Sequence, residues 1–210
     1  MASAPLSGDT SFSFPEFDDP PASPFDVARA WLAGAEEDDV AEPLSMTLAT
    51  AADGIVTART VDVKTIDDRG LLFGTSTESP KGRQLAANPA AALQVYWRET
   101  MQQLRFEGVV VRLSDAESDE LFAARSPKSR AATAVAAQSA PLEGTVQDLI
   151  DDANALLEDA GDDVPRPESW AAWRLEPVSV EFWHGSRDRM HRRLQYRSTD
   201  EGWTSSVLQP

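Results

Sequence analysis

The chain has 210 residues, 41 % hydrophobic and 26 % charged, proportions that suit one soluble globular domain. It has no cysteine, which excludes disulfides, thiolate metal sites, iron–sulfur clusters and a cysteine nucleophile. With 19 basic and 35 acidic residues the net charge is −16, a surface that repels nucleic acid and anionic membranes, although solubility or adaptation to salt would explain it equally well.

No apolar run reaches the roughly 18 residues of a membrane helix. The opening M-A-S-A-P-L-S-G-D-T lacks the basic and apolar regions of a signal peptide, so a cytoplasmic protein is expected. Residues 1–22, rich in Ser, Pro, Asp and Phe, read as a flexible tail, and 23–210 as one domain. A helix is expected after Pro24, with Phe25, Ala28, Trp31 and Leu32 on one face. Met46, Leu48 and Thr50 alternate with small residues and lead to the turn Asp53-Gly54, with Ile55 to Lys64 as the return strand. Residues 67–70 form another turn and Leu71 to Ser76 another strand. Ser79-Pro80 opens a short helix that Asn88-Pro89 closes. Two strands follow, Ala91 to Arg98 and Leu104 to Leu113.

The next segment is helical. Ser114 and Glu117 form a capping box for a helix through Ala124, and the Ala-rich residues 129–138 read as a second helix. Thr145 caps a third, whose apolar Val146, Leu149, Ile150, Ala153, Leu156 and Leu157 fit a period of about 3.6 residues, ending at Gly161. Strands return at Ala171–Leu175, Val178–His184, Leu194–Arg197 and Trp203–Leu208. Strands at both ends of a helical middle predict a mainly β fold with helices (α+β), its sheet closed into a barrel by the last strands.

Searches for familiar chemistry return little. There are two histidines, His184 and His191, and no H-E-x-x-H, G-x-S-x-G, Walker or G-x-G-x-x-G motif, so no metal is expected. Basic residues recur beside turns: Arg59 and Lys64, Lys81 and Arg83 in the first turn of the short helix, and Arg189, His191, Arg192 and Arg193 near the C-terminus. They suit an anion such as phosphate at a helix start. They would equally serve as surface charges paired with the abundant carboxylates. Trp170, Trp173, Phe182, Trp183, Tyr196 and Trp203 read as core or interface.

Several segments nevertheless match a known pattern in order and spacing. These are R-T-V-D-V-K (59–64), S-P-K-G-R-Q-L-A-A-N-P (79–89), the strand with Gln103 and Glu107-Gly108, Gln138-Ser139, and E-F-W-H-G-S-R-D-R-M-H-R-R-L-Q-Y (181–196). Together they resemble the pyridoxamine 5′-phosphate oxidase family over about residues 24 to 210, including the terminal E-G-W…L-Q-P. The resemblance implies a split β-barrel that binds FMN at the interface of a homodimer. It places Arg59, Thr60, Val61 and Asp62 along the flavin ring and ribityl chain, Lys64 close by, and Thr75 and Lys81 on the phosphate arm. Gln103 would reach the ring, Gln138 and Ser139 would come from the other subunit, and Trp183 and Arg193 would also contact flavin. Arg189 and His191, the family's R-x-H pair, would face the substrate as the catalytic residues, and Arg125 and Ser129 would also bind it.

Two departures bear on the substrate. The family's vitamin oxidases carry a tyrosine on the substrate's phosphate where this chain has Leu121, and an Arg-Lys pair where it has Pro80-Lys81. R-E-T-M-Q-Q (98–103) and the final L-Q-P resemble the branch that oxidises reduced phenazine carboxylic acids, small aromatic substrates. The reaction so implied passes a hydride from substrate to flavin and then electrons to dioxygen, giving hydrogen peroxide. Arg189 would clamp a substrate carboxylate. His191 would orient the substrate or accept a proton, both open to an imidazole near neutral pH. Pyridoxine or pyridoxamine phosphate oxidation and a non-catalytic flavin-binding role are the alternatives.

Overall fold

A computed structural model describes Gly8 and residues 13–210. A short 3₁₀ turn, Pro15–Phe17, precedes helix α1, Pro24–Glu37. Ser23 caps α1 by accepting from the Phe25 N–H at 3.2 Å, and Pro24 occupies the first turn, where a missing N–H costs nothing. Phe25, Ala28 and Trp31 are buried as expected, Leu32 packs against the core, and Val27 and Ala35 join them.

Strands β1 (Ser45–Ala52) and β2 (Ile55–Asp67) are joined by Asp53 and Gly54, both at positive φ, the two-residue turn whose twist suits a hairpin. β2 runs three residues beyond the expected Lys64 before turning into β3, Gly70–Ser76. Gly70 has φ +130°, and a Cβ there would lie 2.0 Å from the Leu175 carbonyl oxygen, so only glycine fits the approach of β3 to its later partner. Helix α2 (Pro80–Ala87) follows, capped by Ser79, and then β4 (Ala90–Trp97) and β5 (Gln102–Arg112).

Helices α3 (Asp115–Ala123), α4 (Pro127–Val135) and α5 (Val146–Ala160) form the middle segment. The Ser114–Glu117 capping box is present, and Thr145 with Asp148 forms another. α4 starts earlier and stops earlier than its alanines suggest, because Ser126 caps it, and this leaves Gln138 and Ser139 beyond its end. α5 packs against α4 but buries no residue fully; Val146 and Ile150 stay exposed despite the clean apolar period.

The last strands are β6 (Trp170–His184), β7 (Arg192–Thr199) and β8 (Gly202–Leu208). β6 is one strand where two were expected. Its register against β5 shifts between Glu107 and Gly108, opposite Pro177 and Ser179, leaving Val178 exposed as the extra residue of a bulge. A bulge is where a strand tolerates a proline that cannot donate to the ladder. A Cβ on Gly108 would sit 2.1 Å from the Glu176 carbonyl oxygen, so glycine is required opposite it.

The sheet order is β3-β2-β1-β4-β5-β6-β7-β8, with β3 also paired to β6. That pairing closes six antiparallel strands into a barrel. The first part of β6, Trp170–Leu175, pairs with β3, and its last part, Ser179–His184, pairs with β7, so β7 and β8 leave the barrel as a flap. This is the expected split β-barrel. Met46, Leu48, Phe73, Leu93, Leu104, Phe106, Leu175 and Phe182 fill its interior from alternate positions of the strands.

The first residues correct one expectation. Phe14 and Phe17 are buried, the Phe14 ring lies 5.1 Å from Trp31 and 4.5 Å from His184, and the Tyr196 hydroxyl donates to the Pro21 carbonyl at 3.0 Å. Residues 14–21 are therefore anchored to the packed body, because Phe14 and Phe17 join the hydrophobic core and Pro21 accepts from Tyr196. The rest of the expected tail, 1–7 and 9–12, lies outside the described residues.

Candidate active site

A cleft of about 570 Å³ opens where β2 and β3 meet the helical segment. Thr60, Val61, Asp62, Lys64, Thr75, Lys81, Arg125 and Gln138, all expected at the site, line it. Ser129 lines an adjoining groove of about 370 Å³ that shares Thr75, Arg125, Gln138 and Trp170 with the cleft.

Of the cleft's three cations, Lys64, Lys81 and Arg125, only Lys64 has an ion-pair partner among the described residues. Lys81, in the first turn of α2, is 8 % exposed and has no carboxylate partner among the described residues. Burial, and then the charge of Arg59, push its ammonium below the ordinary lysine range. Arg59 lies behind the cleft without lining it. Its guanidinium donates to the Leu48 carbonyl at 3.1 Å, to Thr50 Oγ1 at 2.7 Å, to Thr57 Oγ1, and to Gln84 Oε1 at 3.3 Å. The guanidinium of Arg125 lies over the rings of Phe122 and Trp170, 5.4 Å from each, and its buried Nη1 has no acceptor among the described residues. Burial lowers the pKa of Arg125 as well. Lys64, by contrast, pairs with Asp62 at 3.7 Å, and Arg192 and Arg193 pair with Asp18 and Glu181. The choice between anion site and paired surface charge is thus decided residue by residue. Lys81, Arg59 and Arg125 hold uncompensated charge around a cavity, which a bound anion would neutralise.

The rest of the lining is largely apolar, with Val61, Leu72, Leu121, Ala124 and Trp170, and Trp170 lies under the Arg125 guanidinium. Leu72, Gly74 and Trp170 were not among the expected site residues. The Trp170 ring passes so close to Gly74 that a Cβ there would meet it at 2.2 Å, a tertiary fit that no spacing announces. Gln138 also departs from expectation. Its Oε1 accepts from Thr75 Oγ1 at 3.1 Å and from the Ser76 N–H at 3.3 Å in its own chain, whereas it was expected to arrive from another subunit. Ser139, at φ +66°, does not line the cleft.

The remaining expected residues form a second group. Gln103, Trp183, Arg193, Arg189 and His191 do not line the cleft. Trp170 and Trp183 mark this separation, near opposite ends of β6, on the order of 40 Å apart at strand rise. Gln103 lies opposite Trp183 in the β5–β6 register, and Trp183 opposite Arg193. The His191 ring is 4.8 Å from Trp183, and its Nδ1 accepts from the Ser186 N–H at 3.0 Å. The neutral ring therefore carries its proton on Nε2. Arg189 is exposed at φ +71° in the loop before it. Glu181, buried, takes Arg193 at 2.9 Å and Arg105 at 2.6 Å.

A split barrel with a cationic cleft on its helical side defines the class of protein. Residues 33–184 match the pyridoxamine 5′-phosphate oxidase family, and residues 170–210 match the pyridoxine 5′-phosphate oxidase C-terminal dimerisation region. The chain belongs to the pyridoxamine 5′-phosphate oxidase family.

Within the family it is similar to both branches named above. A dihydrophenazinedicarboxylate synthase of Burkholderia lata is 39 % identical over 98 % of this chain and 96 % of that protein. A pyridoxine/pyridoxamine 5′-phosphate oxidase of Burkholderia multivorans is 43 % identical over 89 % of each. The crystal structure of PhzG from Burkholderia lata in complex with tetrahydrophenazine-1-carboxylic acid shares 40 % identity at a TM-score of 0.92, covering 97 % of this chain and 100 % of that one. No described helix is long and apolar enough to cross a membrane.

Proposed function

We propose that this chain is an FMN-dependent oxidase of reduced phenazine-type carboxylic acids, active as a homodimer. The observation that carries the reading is the cleft's set of cations without carboxylate partners, Lys81 and Arg125, among largely apolar lining residues. Lys81, with Thr75 beside it and the Arg59 charge behind, suits a phosphate; Arg125 with its unpaired Nη1 suits a second anionic group. Thr60, Val61 and Asp62 would lie along the cofactor's ring and ribityl chain, and Gln138 would stay tied to Thr75 in the same chain. Bound FMN would supply the two-electron oxidation, taking a hydride from the substrate and passing the electrons to dioxygen to give hydrogen peroxide.

The separation of the two residue groups supports a dimer. Gln103, Trp183, Arg193, Arg189 and His191 would complete the cleft of a second copy, since one chain holds them far from its own. The sequence match to the family's dimerisation region covers β6, β7, β8 and the loop between β6 and β7, a stretch that carries all of that group but Gln103. Arg189 would hold the substrate carboxylate. His191 would donate from Nε2 to orient the substrate, because its Nδ1 is already engaged by Ser186. Proton acceptance at Nδ1 would first require that hydrogen bond to break.

Leu121 favours a flat aromatic substrate over a phosphorylated vitamin. It presents an aliphatic side chain to the cleft where a hydroxyl would bind phosphate. The vitamin-oxidase reading keeps one specific support, the retention of Arg125 and Ser129 around the same space. Purified protein with a flavin spectrum that dihydrophenazine carboxylates bleach anaerobically, and pyridoxine phosphate does not, is the expected result. Colourless protein that takes up no added FMN would refute the oxidase; bleaching by pyridoxine phosphate alone would transfer the assignment to the vitamin branch.

A further inference from the structure

We propose that Gln84 is a positioning residue for the anion site, holding Arg59 through an uncharged oxygen so that Arg59 and Lys81 both keep their charge for the ligand's phosphate. This deepens the FMN reading and rests on it. Gln84 is on α2, one turn after Lys81, and points to the hairpin of β1 and β2. Its Oε1 accepts from Thr50 Oγ1 at 2.7 Å, from Thr57 Oγ1 at 2.9 Å and from Arg59 Nη2 at 3.3 Å. Thr50 and Thr57 face each other across the two strands.

The Thr50 and Thr57 hydroxyls also lie 3.5 Å apart, at the limit of a hydrogen bond, so the shorter contacts to Gln84 set the polarity of the cluster. Both threonine oxygens accept from the Arg59 guanidinium, and each hydroxyl has a single proton to give, which goes to Gln84. The group at position 84 must therefore be a pure acceptor at that point. Either an amide oxygen or a carboxylate would satisfy the geometry, and in a chain with 35 acidic residues a carboxylate is the common partner of a buried arginine. Arg174 and Arg166, both well buried, pair with Asp67 and Asp119 in this way. Around Arg59 every acceptor is neutral: a carbonyl, two hydroxyls and an amide. The amide fixes the guanidinium without cancelling it, and the unscreened charge beside Lys81 makes the site wait for an anion.

Gln84→Glu isolates the charge because it keeps the size and the accepting oxygen. Three measurements on apoprotein decide the matter: thermal melting without ligand, the melting shift given by inorganic phosphate, and FMN affinity from flavin fluorescence quenching. Wild type is expected to bind FMN and to be stabilised by phosphate. Gln84→Glu is expected to melt at the same or a higher temperature, to lose most of the phosphate shift, and to bind FMN at least tenfold more weakly. Gln84→Met, which removes the acceptor without adding charge, is expected to melt lower and to bind FMN more weakly than wild type. A Gln84→Glu protein that binds FMN and phosphate like wild type, or that fails to fold, overturns the role of Gln84 while leaving the oxidase reading intact. Wild-type protein that ignores FMN overturns the oxidase reading, and the phosphate shifts then decide Gln84 alone.

Discussion

Replacing Lys81 with Met should strengthen the empty protein and weaken the loaded one. The ammonium is buried beside Arg59 and has no carboxylate partner, so its pKa in the folded chain lies below the ordinary 10.5. Between that depressed value and 10.5 the unfolded chain binds more protons than the folded one, and apoprotein stability therefore rises with pH across that window. At neutral pH the full penalty of the buried charge is present. Met fills a similar volume without the charge, so the Lys81→Met apoprotein should melt above wild type. FMN affinity should move the other way. A hydrogen bond to a charged group is worth about 1.5–3 kcal/mol, and about 1.4 kcal/mol is a factor of ten, so its loss should weaken FMN roughly 10- to 150-fold. Thermal melts of the two apoproteins check the first half, and fluorescence titration at pH 7 and at pH 10 the second: wild-type affinity should fall towards the variant's as Lys81 loses its proton. Unchanged FMN affinity, or a lower apoprotein melting temperature, would show that Lys81 is not the phosphate cation.

Gly108→Ala places a Cβ 2.1 Å from the Glu176 carbonyl and should destabilise the bulge by about 1–3 kcal/mol, read as a lower chemical-denaturation midpoint. Leu121→Tyr restores a hydroxyl to the cleft wall and should raise kcat/KM for pyridoxine phosphate by about tenfold or more while lowering it for dihydrophenazine carboxylates. Arg189→Ala should slow substrate-dependent flavin reduction and leave FMN bound, since its proposed partner is the substrate carboxylate and Lys81 holds the cofactor's phosphate; loss of FMN instead would assign Arg189 to the cofactor. Glu181→Ala removes the carboxylate shared by Arg105 and Arg193, both partly exposed and Arg105 still paired with Glu107, and should cost about 1–3 kcal/mol by denaturant melts.

The elements legible beforehand were those with local causes. Ser23, Ser79, Ser114 and Thr145 cap their helices because each side chain accepts from the backbone two or three residues on, and Asp53-Gly54 turns the first hairpin because both positions need positive φ. Half of the residues expected at the site line one cleft, since R-T-V-D-V-K lies on β2 and Lys81 on the helix that follows the next strand. The α5 pattern shows the limit of such reading: its apolar period is regular, yet the helix buries nothing fully, because periodicity marks a face without saying what covers it.

What the amino-acid order determined by itself is the succession of strands and helices, the lack of cysteine chemistry, and the chemical types available to hold an anion. Only the tertiary structure decided which cations are free. Arg59, Lys81 and Arg193 look alike in a sequence with 35 carboxylates, but folding gives Arg193 a buried glutamate and gives Arg59 only neutral acceptors. It likewise decided that β6 is one bulged strand and that its two ends carry separate halves of the expected site. Charge compensation and strand pairing are contacts between residues remote in the chain, so no local pattern contains them.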